Sequence, residues 1–263
     1  MLREARRLLR RKERQRARRF IAEGRQATTE ALRHPGTVTE LIMADDSIVR
    51  HVDLLEIASN AGIRIAVAPL RAVAELADTV TPQGVIAVCQ MIDVPLNEAL
   101  AETPRLVVLC DQVRDPGNLG TVIRCADAFG ADAVLVSRDS VDLYNAKVVR
   151  ATTGSLFHLP LAVEVDLSEA VSLARDTGLH VFGADSRAGC VIDDLASSGE
   201  LAQPTMWVLG NEAWGLRPDH VSRLDRLVAL PLYGRADSLN LSTAAAVFLY
   251  ASATAQHAPE SSH

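Results

Sequence analysis

Leu106-Val107-Val108-Leu109-Cys110 runs directly into Asp111-Gln112-Val113-Arg114-Asp115-Pro116-Gly117-Asn118-Leu119-Gly120-Thr121-Val122-Ile123-Arg124. Five apolar residues, a Pro-Gly turn and then a helical pattern read as a strand buried on both faces, followed by a crossover helix. The same alternation continues outward. Apolar runs at 133–136, 180–184, 206–209 and 227–232 are expected strands, and 119–129, 141–150, 167–175 and 217–224 are expected helices. Strands of this kind separated by helices predict an α/β fold with a mostly parallel sheet. The stretch 241–256 is apolar almost all round, as a helix is when it is central to a core or pressed against a second subunit.

The amino-terminal side repeats the theme on a smaller scale. Phe20-Ile21-Ala22-Glu23-Gly24 leads into a helical stretch at 26–33. Apolar runs at 38–43, 63–68 and 85–91 are separated by helical stretches at 47–61 and 69–76, a small α/β domain over 20–93. Residues 94–104 read as a linker, 105–256 as the larger domain and 257–263 as a tail.

The chain has 263 residues, 48% hydrophobic and 23% charged, which excludes disordered and collagen-like chains. Its net charge of −6 is unevenly spread. Residues 1–19 form a basic arm, and residues 1–20 hold ten Arg or Lys against two Glu, net +8, leaving −14 for the rest. Such an arm is either a helix or a tail that orders on a polyanion, with Arg16, Arg18 and Arg19 as its candidate contacts. Cys89, Cys110, Cys125 and Cys190 lie far apart with no CxxC pair, as expected of free thiols in a reducing cytoplasm. No apolar run reaches the roughly 18 residues of a membrane span, and no metal-ligand spacing occurs among the histidines. There is no GxGxxG after a strand, no GxxxxGK[ST] and no GxSxG, which removes Rossmann, P-loop and α/β-hydrolase chemistry.

In open α/β sheets ligands bind beyond the carboxyl ends of the strands, and three loops there are rich in polar residues and glycine. The first holds Asn118, placed to cap a helix, and Arg124, four residues after Gly120 on one face. The second is Leu209-Gly210-Asn211-Glu212-Ala213-Trp214-Gly215-Leu216. The third is Leu230-Pro231-Leu232 followed by Ser238-Leu239-Asn240-Leu241-Ser242. Capping explains one of Ser238, Asn240 and Ser242 but hardly all three. Arg150, at the end of an expected helix, is either a phosphate contact or a cation at the helix dipole's negative end.

Taken in order, Asn118-x-Gly120-x-x-x-Arg124, Leu209-Gly210-Asn211-Glu212-x-x-Gly215-Leu216 and the Leu230–Ser242 motif resemble the signatures of the SpoU/TrmH family of RNA ribose 2′-O-methyltransferases, within the SPOUT class. Ala213 departs from the glycine many members carry. Phe20–Gly24 and Thr81-Pro82-Gln83-Gly84-Val85-Ile86-Ala87 are similar to pieces of the family's L30e-like substrate-binding domain, and the two-domain layout is similar to thiostrepton-resistance ribosomal RNA methyltransferases. The resemblance implies a carboxyl-terminal trefoil knot, a homodimer and S-adenosylmethionine as cofactor. It implies cofactor contacts at Gly210, Leu230 and Leu239 with Leu209, Asn211 and Leu232 beside them. It implies a reaction centre of Arg124, Asn118, Glu212, Ser238 and Asn240. The substrate it implies is RNA, with 23S-type ribosomal RNA favoured over transfer RNA, and no metal or membrane. A non-catalytic RNA-binding protein of the same fold is the alternative from another class.

Overall fold

The computed structural model describes residues 1–101 and 103–258. Glu102, in the expected linker, and 259–263, most of the expected tail, lie outside the described residues. The chain divides into two compact units, residues 1–92 with 142–158, and residues 93–141 with 159–263.

The first unit opens on two short helices, α1 (Leu2–Arg7) and α2 (Arg11–Ala17). Ala5 and Leu8 are buried in one apolar cluster with Ile21, Ile42 and Val88, so the basic stretch is an ordered part of the unit. Arg14 is buried as well. Its guanidinium donates to the carbonyls of Leu8 and Leu9 at 2.8 and 2.9 Å and to Asp142 at 2.5 Å. There follow β1 (Arg19–Glu23), α3 (Arg25–Arg33), β2 (Val38–Ala44), α4 (Val52–Asn60), β3 (Arg64–Ala68), α5 (Leu70–Ala74) and β4 (Val85–Gln90). The sheet order is β1-β4-β2-β3, with β4 antiparallel to both neighbours. Residues 20–23 lead into α3 as expected and are themselves a strand, in which Phe20 through Glu23 pair with Cys89 through Ile86. The two segments singled out in the sequence, 20–24 and 81–87, meet at this seam, where the Gly24 amide donates to Val85 O and the Arg25 amide to Gln83 Oε1.

The second unit begins with α6 (Leu96–Ala99), β5 (Leu106–Cys110), α7 (Pro116–Ala128) and β6 (Ala133–Ser137). The chain then returns to the first unit as α8 (Ala146–Ala151), where Phe20 packs on Tyr144 and Phe157. The expected helix over 141–150 is thus shorter and starts at Asn145, which caps it by accepting the Lys147 amide. Back in the second unit come β7 (Leu161–Val165), α9 (Leu167–Asp176), β8 (His180–Ala184), β9 (Cys190–Val191) and α10 (Ile192–Ser198). The chain ends with β10 (Thr205–Leu209), α11 (Pro218–Val221), β11 (Arg226–Ala229) and α12 (Leu241–Gln256).

All seven strands of this unit run parallel, in the order β7-β6-β5-β10-β8-β11-β9. β5, β6 and β10 are buried at every residue, as unbroken Val/Leu runs require. β11 stops at Ala229, short of the expected 232, because Pro231 has no N–H to give a ladder. α12 lies against β10 through Trp207, whose ring packs at a tilt on Phe248 with centroids 4.4 Å apart and whose indole N–H donates to Ser252 Oγ at 2.9 Å. The four cysteines are free, and burial with the Glu212 and Asp111 charges pushes the Cys110 thiol up to about 12. Among the described residues no helix is long and apolar enough to cross a membrane.

Candidate active site

Where β5, β10, β8 and β11 end, their loops enclose a cleft of about 570 Å3 within the second unit. Its size lies in the range of about 300–1,000 Å3 common for cofactor pockets. Leu209, Leu230, Leu232 and Leu239 supply apolar wall, and the Pro231 break that ends β11 is what turns that segment into lining. Gly210 is required by its own loop: a Cβ there would stand 2.5 Å from the Gly215 carbonyl carbon. Asn211 is buried, exchanges main-chain hydrogen bonds with Gly215 at 3.0 and 2.9 Å, and donates from Nδ2 to Gln112 O at 2.7 Å. Gly215 holds φ at +71°, where a side chain would be strained. The loop after β10 is therefore rigid and tied to the loop after β5.

Asn118 does not cap α7. Asp115 does, accepting the Asn118 amide at 2.8 Å with Pro116 as the first helical residue. Relieved of that task, the Asn118 side chain faces the cleft. Its Nδ2 donates to Glu212 Oε1 at 3.1 Å and its Oδ1 accepts from Asn240 Nδ2 at 3.0 Å. Asn240 caps α12 through Oδ1, taking the Ser242 amide and hydroxyl at 2.9 and 2.7 Å. Capping thus accounts for Asn240 and Ser242 together, while Ser238 lines the cleft.

Glu212 also accepts the Arg114 and Asp115 amides at 3.1 and 3.0 Å. Partial burial pushes its carboxyl up, but these amides and Asn118 outweigh that and hold it below the usual carboxylate range. Asp185 is likewise held low: burial opposes, and hydrogen bonds from Arg187 prevail. Two ionised carboxylates beside a leucine-lined wall suit a ligand with a flat aromatic face and a positive centre, and an adenosyl sulfonium has both.

Arg124 stands apart. It lies six residues beyond Asn118, on the third turn of α7, about 9 Å further along the axis. It is exposed, lies outside the cleft lining, and among the described residues makes no hydrogen bond or ion pair. In the first unit Arg16 and Arg18 are exposed, Arg19 pairs with buried Glu40 at 3.3 Å, and Arg150 pairs with Asp78 at 3.0 Å and Glu23 at 3.5 Å. The sequence reading missed Asp185, Ser186, Arg187 and Trp214, which also line the cleft. Their signal was position alone, directly after β8 or inside the second motif.

A cleft at the carboxyl edge of a parallel sheet, with a polar relay on one side, defines an α/β enzyme of nucleotide-like ligands. Residues 105–250 match the model of the SpoU rRNA Methylase family, and residues 1–87 match the MRM3-like substrate binding domain. The 23S rRNA (guanosine(2553)-2′-O)-methyltransferase RlmP of Bacillus subtilis is 36% identical over 239 residues, covering 91% of this chain and 90% of the relative. An AdoMet-bound rRNA methyltransferase from Sinorhizobium meliloti superimposes with a TM-score of 0.81 at 27% identity, over 95% of this chain and 93% of that one. The SpoU methyltransferase AviRb from Streptomyces viridochromogenes, in complex with AdoMet, gives 0.79 at 29% identity over 96% of each. The chain belongs to the SpoU rRNA methylase family, enzymes that methylate ribose 2′-hydroxyls of RNA with S-adenosylmethionine.

Proposed function

We propose that this protein methylates a ribose 2′-hydroxyl of 23S-type ribosomal RNA. The observation that carries the reading is the hydrogen-bonded relay Glu212–Asn118–Asn240, which joins three loops beside the leucine-lined cleft. Gly210, Leu209, Asn211, Leu230, Leu232 and Leu239 would hold S-adenosylmethionine, largely through main-chain groups and apolar contact. That cofactor supplies an electrophilic methyl group, which leaves the protein to orient the nucleophile and manage its proton. Asn118, with an amide hydrogen not used by Glu212, and Ser238 would hydrogen-bond the ribose. Asn240 fixes Asn118. Glu212, already accepting three hydrogen bonds and held ionised, acts as a brace and is a poor proton acceptor. Arg124, whose guanidinium offers hydrogen-bond donors and no acceptor, is suited to stabilise charge developing on the 2′-oxygen rather than to take its proton.

One copy of the chain leaves Arg124 outside the cleft, and α12 carries exposed Val247 and Tyr250. Both features support a homodimer in which a second copy completes the reaction centre. The family's trefoil knot is part of the same proposal. The first unit would grip RNA through Arg16 and Arg18. Arg19 and Arg150, which pair with Glu40 and with Asp78 and Glu23, would add to that grip. Such an enzyme works in the cytoplasm.

The test is to incubate the protein with methyl-labelled S-adenosylmethionine and unmodified 23S, 16S and transfer RNA separately, then map the 2′-O-methyl. Label in 23S RNA alone is expected. Label in transfer RNA alone moves the substrate assignment, and none in any RNA overturns the activity.

A further inference from the structure

Beside the cofactor cleft, and sharing Asn118, Glu212, Trp214 and Asn240 with it, lies a shallow open depression that Arg114 also borders. Trp214 is 52% exposed, although its loop is among the most constrained in the unit. The loop is pinned by the two Asn211–Gly215 main-chain hydrogen bonds, by the Ala213 amide on Asn211 Oδ1 at 2.8 Å, and by Asn211 Nδ2 on Gln112 O. A large indole left half-exposed on a rigid turn is already ordered for stacking. Across the depression the Arg114 main chain is fixed by Glu212, while its exposed guanidinium makes no hydrogen bond or ion pair among the described residues.

We infer that Trp214 and Arg114 form a nucleotide subsite for the RNA substrate, the indole stacking on a base and the guanidinium holding a phosphate. Every base offers a π-face, so the indole recognises single-stranded or flipped-out RNA without reading sequence. The Asn118–Asn240 pair between cleft and depression is where the ribose joining that base to that phosphate would meet the reaction centre. The glycine-to-alanine departure at Ala213 leaves the approach to the indole open, since Ala213 is small and exposed. This inference rests on the RNA methyltransferase reading and adds to it which groups seat the nucleotide.

The chain has two tryptophans, and the other, Trp207, is fully buried and hydrogen-bonded. Quenching of emission by unmodified 23S RNA transcript therefore reports Trp214 and is expected to disappear in Trp214→Phe. In single-turnover methylation of that transcript, Trp214→Ala is expected to weaken RNA binding by about 5- to 150-fold. Trp214→Phe, which keeps a stacking face, should recover most of it. Arg114→Gln should reduce the slope of log affinity against log salt by about one. S-adenosylhomocysteine affinity, measured by calorimetry, should stay within twofold in Arg114→Gln, and in the Trp214 variants, whose side chain also borders the cofactor cleft, it should fall by much less than RNA affinity does. A Trp214→Ala enzyme with unchanged RNA affinity overturns the inference. So does an equal loss of S-adenosylhomocysteine binding, which makes the indole a cofactor contact, or conversion to monomers in sedimentation, which makes it a contact between copies. Quenching by RNA without methylation in the wild-type protein would instead sink the activity and leave the subsite standing.

Discussion

Arg124 and Glu212 separate two roles that the motifs alone do not distinguish. Glu212 faces neighbours on its own chain and is saturated by them, whereas Arg124 makes no hydrogen bond or ion pair among the described residues. Arg124→Ala is therefore expected to abolish methyl transfer while leaving S-adenosylmethionine affinity near normal, read by turnover and calorimetry side by side. A variant that still methylates at a comparable rate removes Arg124 from the reaction centre. Glu212 carries a pH dependence of defined sign. Its folded carboxyl sits below its unfolded value, so its bracing is fully present above the unfolded pKa and is lost as pH falls through the lower folded one. Exchange of the Arg114 and Asp115 amides, corrected for intrinsic rate, should accelerate as pH falls below the ordinary carboxylate range. Glu212→Gln, which cannot ionise, should flatten that response. An unchanged profile in Glu212→Gln would show that another group controls the loop.

At the scale of elements, α12 shows how a helix with almost no polar face is nevertheless oriented. The Trp207 indole N–H meets Ser252 inside the core, and Asn240 fixes the amino-terminal end where the site lies. Ser252→Ala strands a buried donor at a cost of about 1–3 kcal/mol. At roughly 2–4 °C per kcal/mol for a unit this size, a melting scan should show a drop of several degrees. Ser252→Thr should retain most of the stability, and an unchanged melting temperature in Ser252→Ala would mean the hydrogen bond contributes nothing net. Elements of this kind, long or uniformly apolar, were legible in the sequence: β5, β8 and α12 fall on their expected residues. β7 was not legible, because Leu161–Val165 carries Glu164 in a left-handed conformation where the ladder shifts register. β9 has two residues and takes its extended form only from pairing with β11. The site was legible as three motifs, but their joining was not. That Asp115 would cap α7 and release Asn118 for Glu212 and Asn240 depends on which of two nearby polar residues wins a cap, and the winner is decided by contacts about a hundred residues away.

At the scale of the whole molecule, the net charge of −6 conceals cations with two different occupations. Read as a tail, residues 1–19 would be removable, with loss of RNA affinity alone. The structure corrects this. Ala5 and Leu8 are core, and Arg14, with 7% of its side chain exposed, is matched to Asp142 and two carbonyls. Removing one partner of such a buried pair strands the other, a loss of about 3–5 kcal/mol, so Arg14→Ala or deletion of the arm should unfold the first unit before it reports on RNA. Arg3, Arg7 and Arg16 are exposed on the same helices, as is Arg10 between them, and they carry the charge without the packing. Their combined replacement by Gln should leave the melting temperature within a degree or two. Because each phosphate contact adds about 0.7–0.9 to the salt slope, RNA binding titrated from 50 to 200 mM salt should become weaker and visibly less steep. S-adenosylmethionine affinity, set in the other unit, should not move. If the quadruple variant binds RNA with wild-type affinity and slope, the positive charge of the arm has no role in substrate capture. The family's substrate-binding domain must then hold RNA through its sheet and loops.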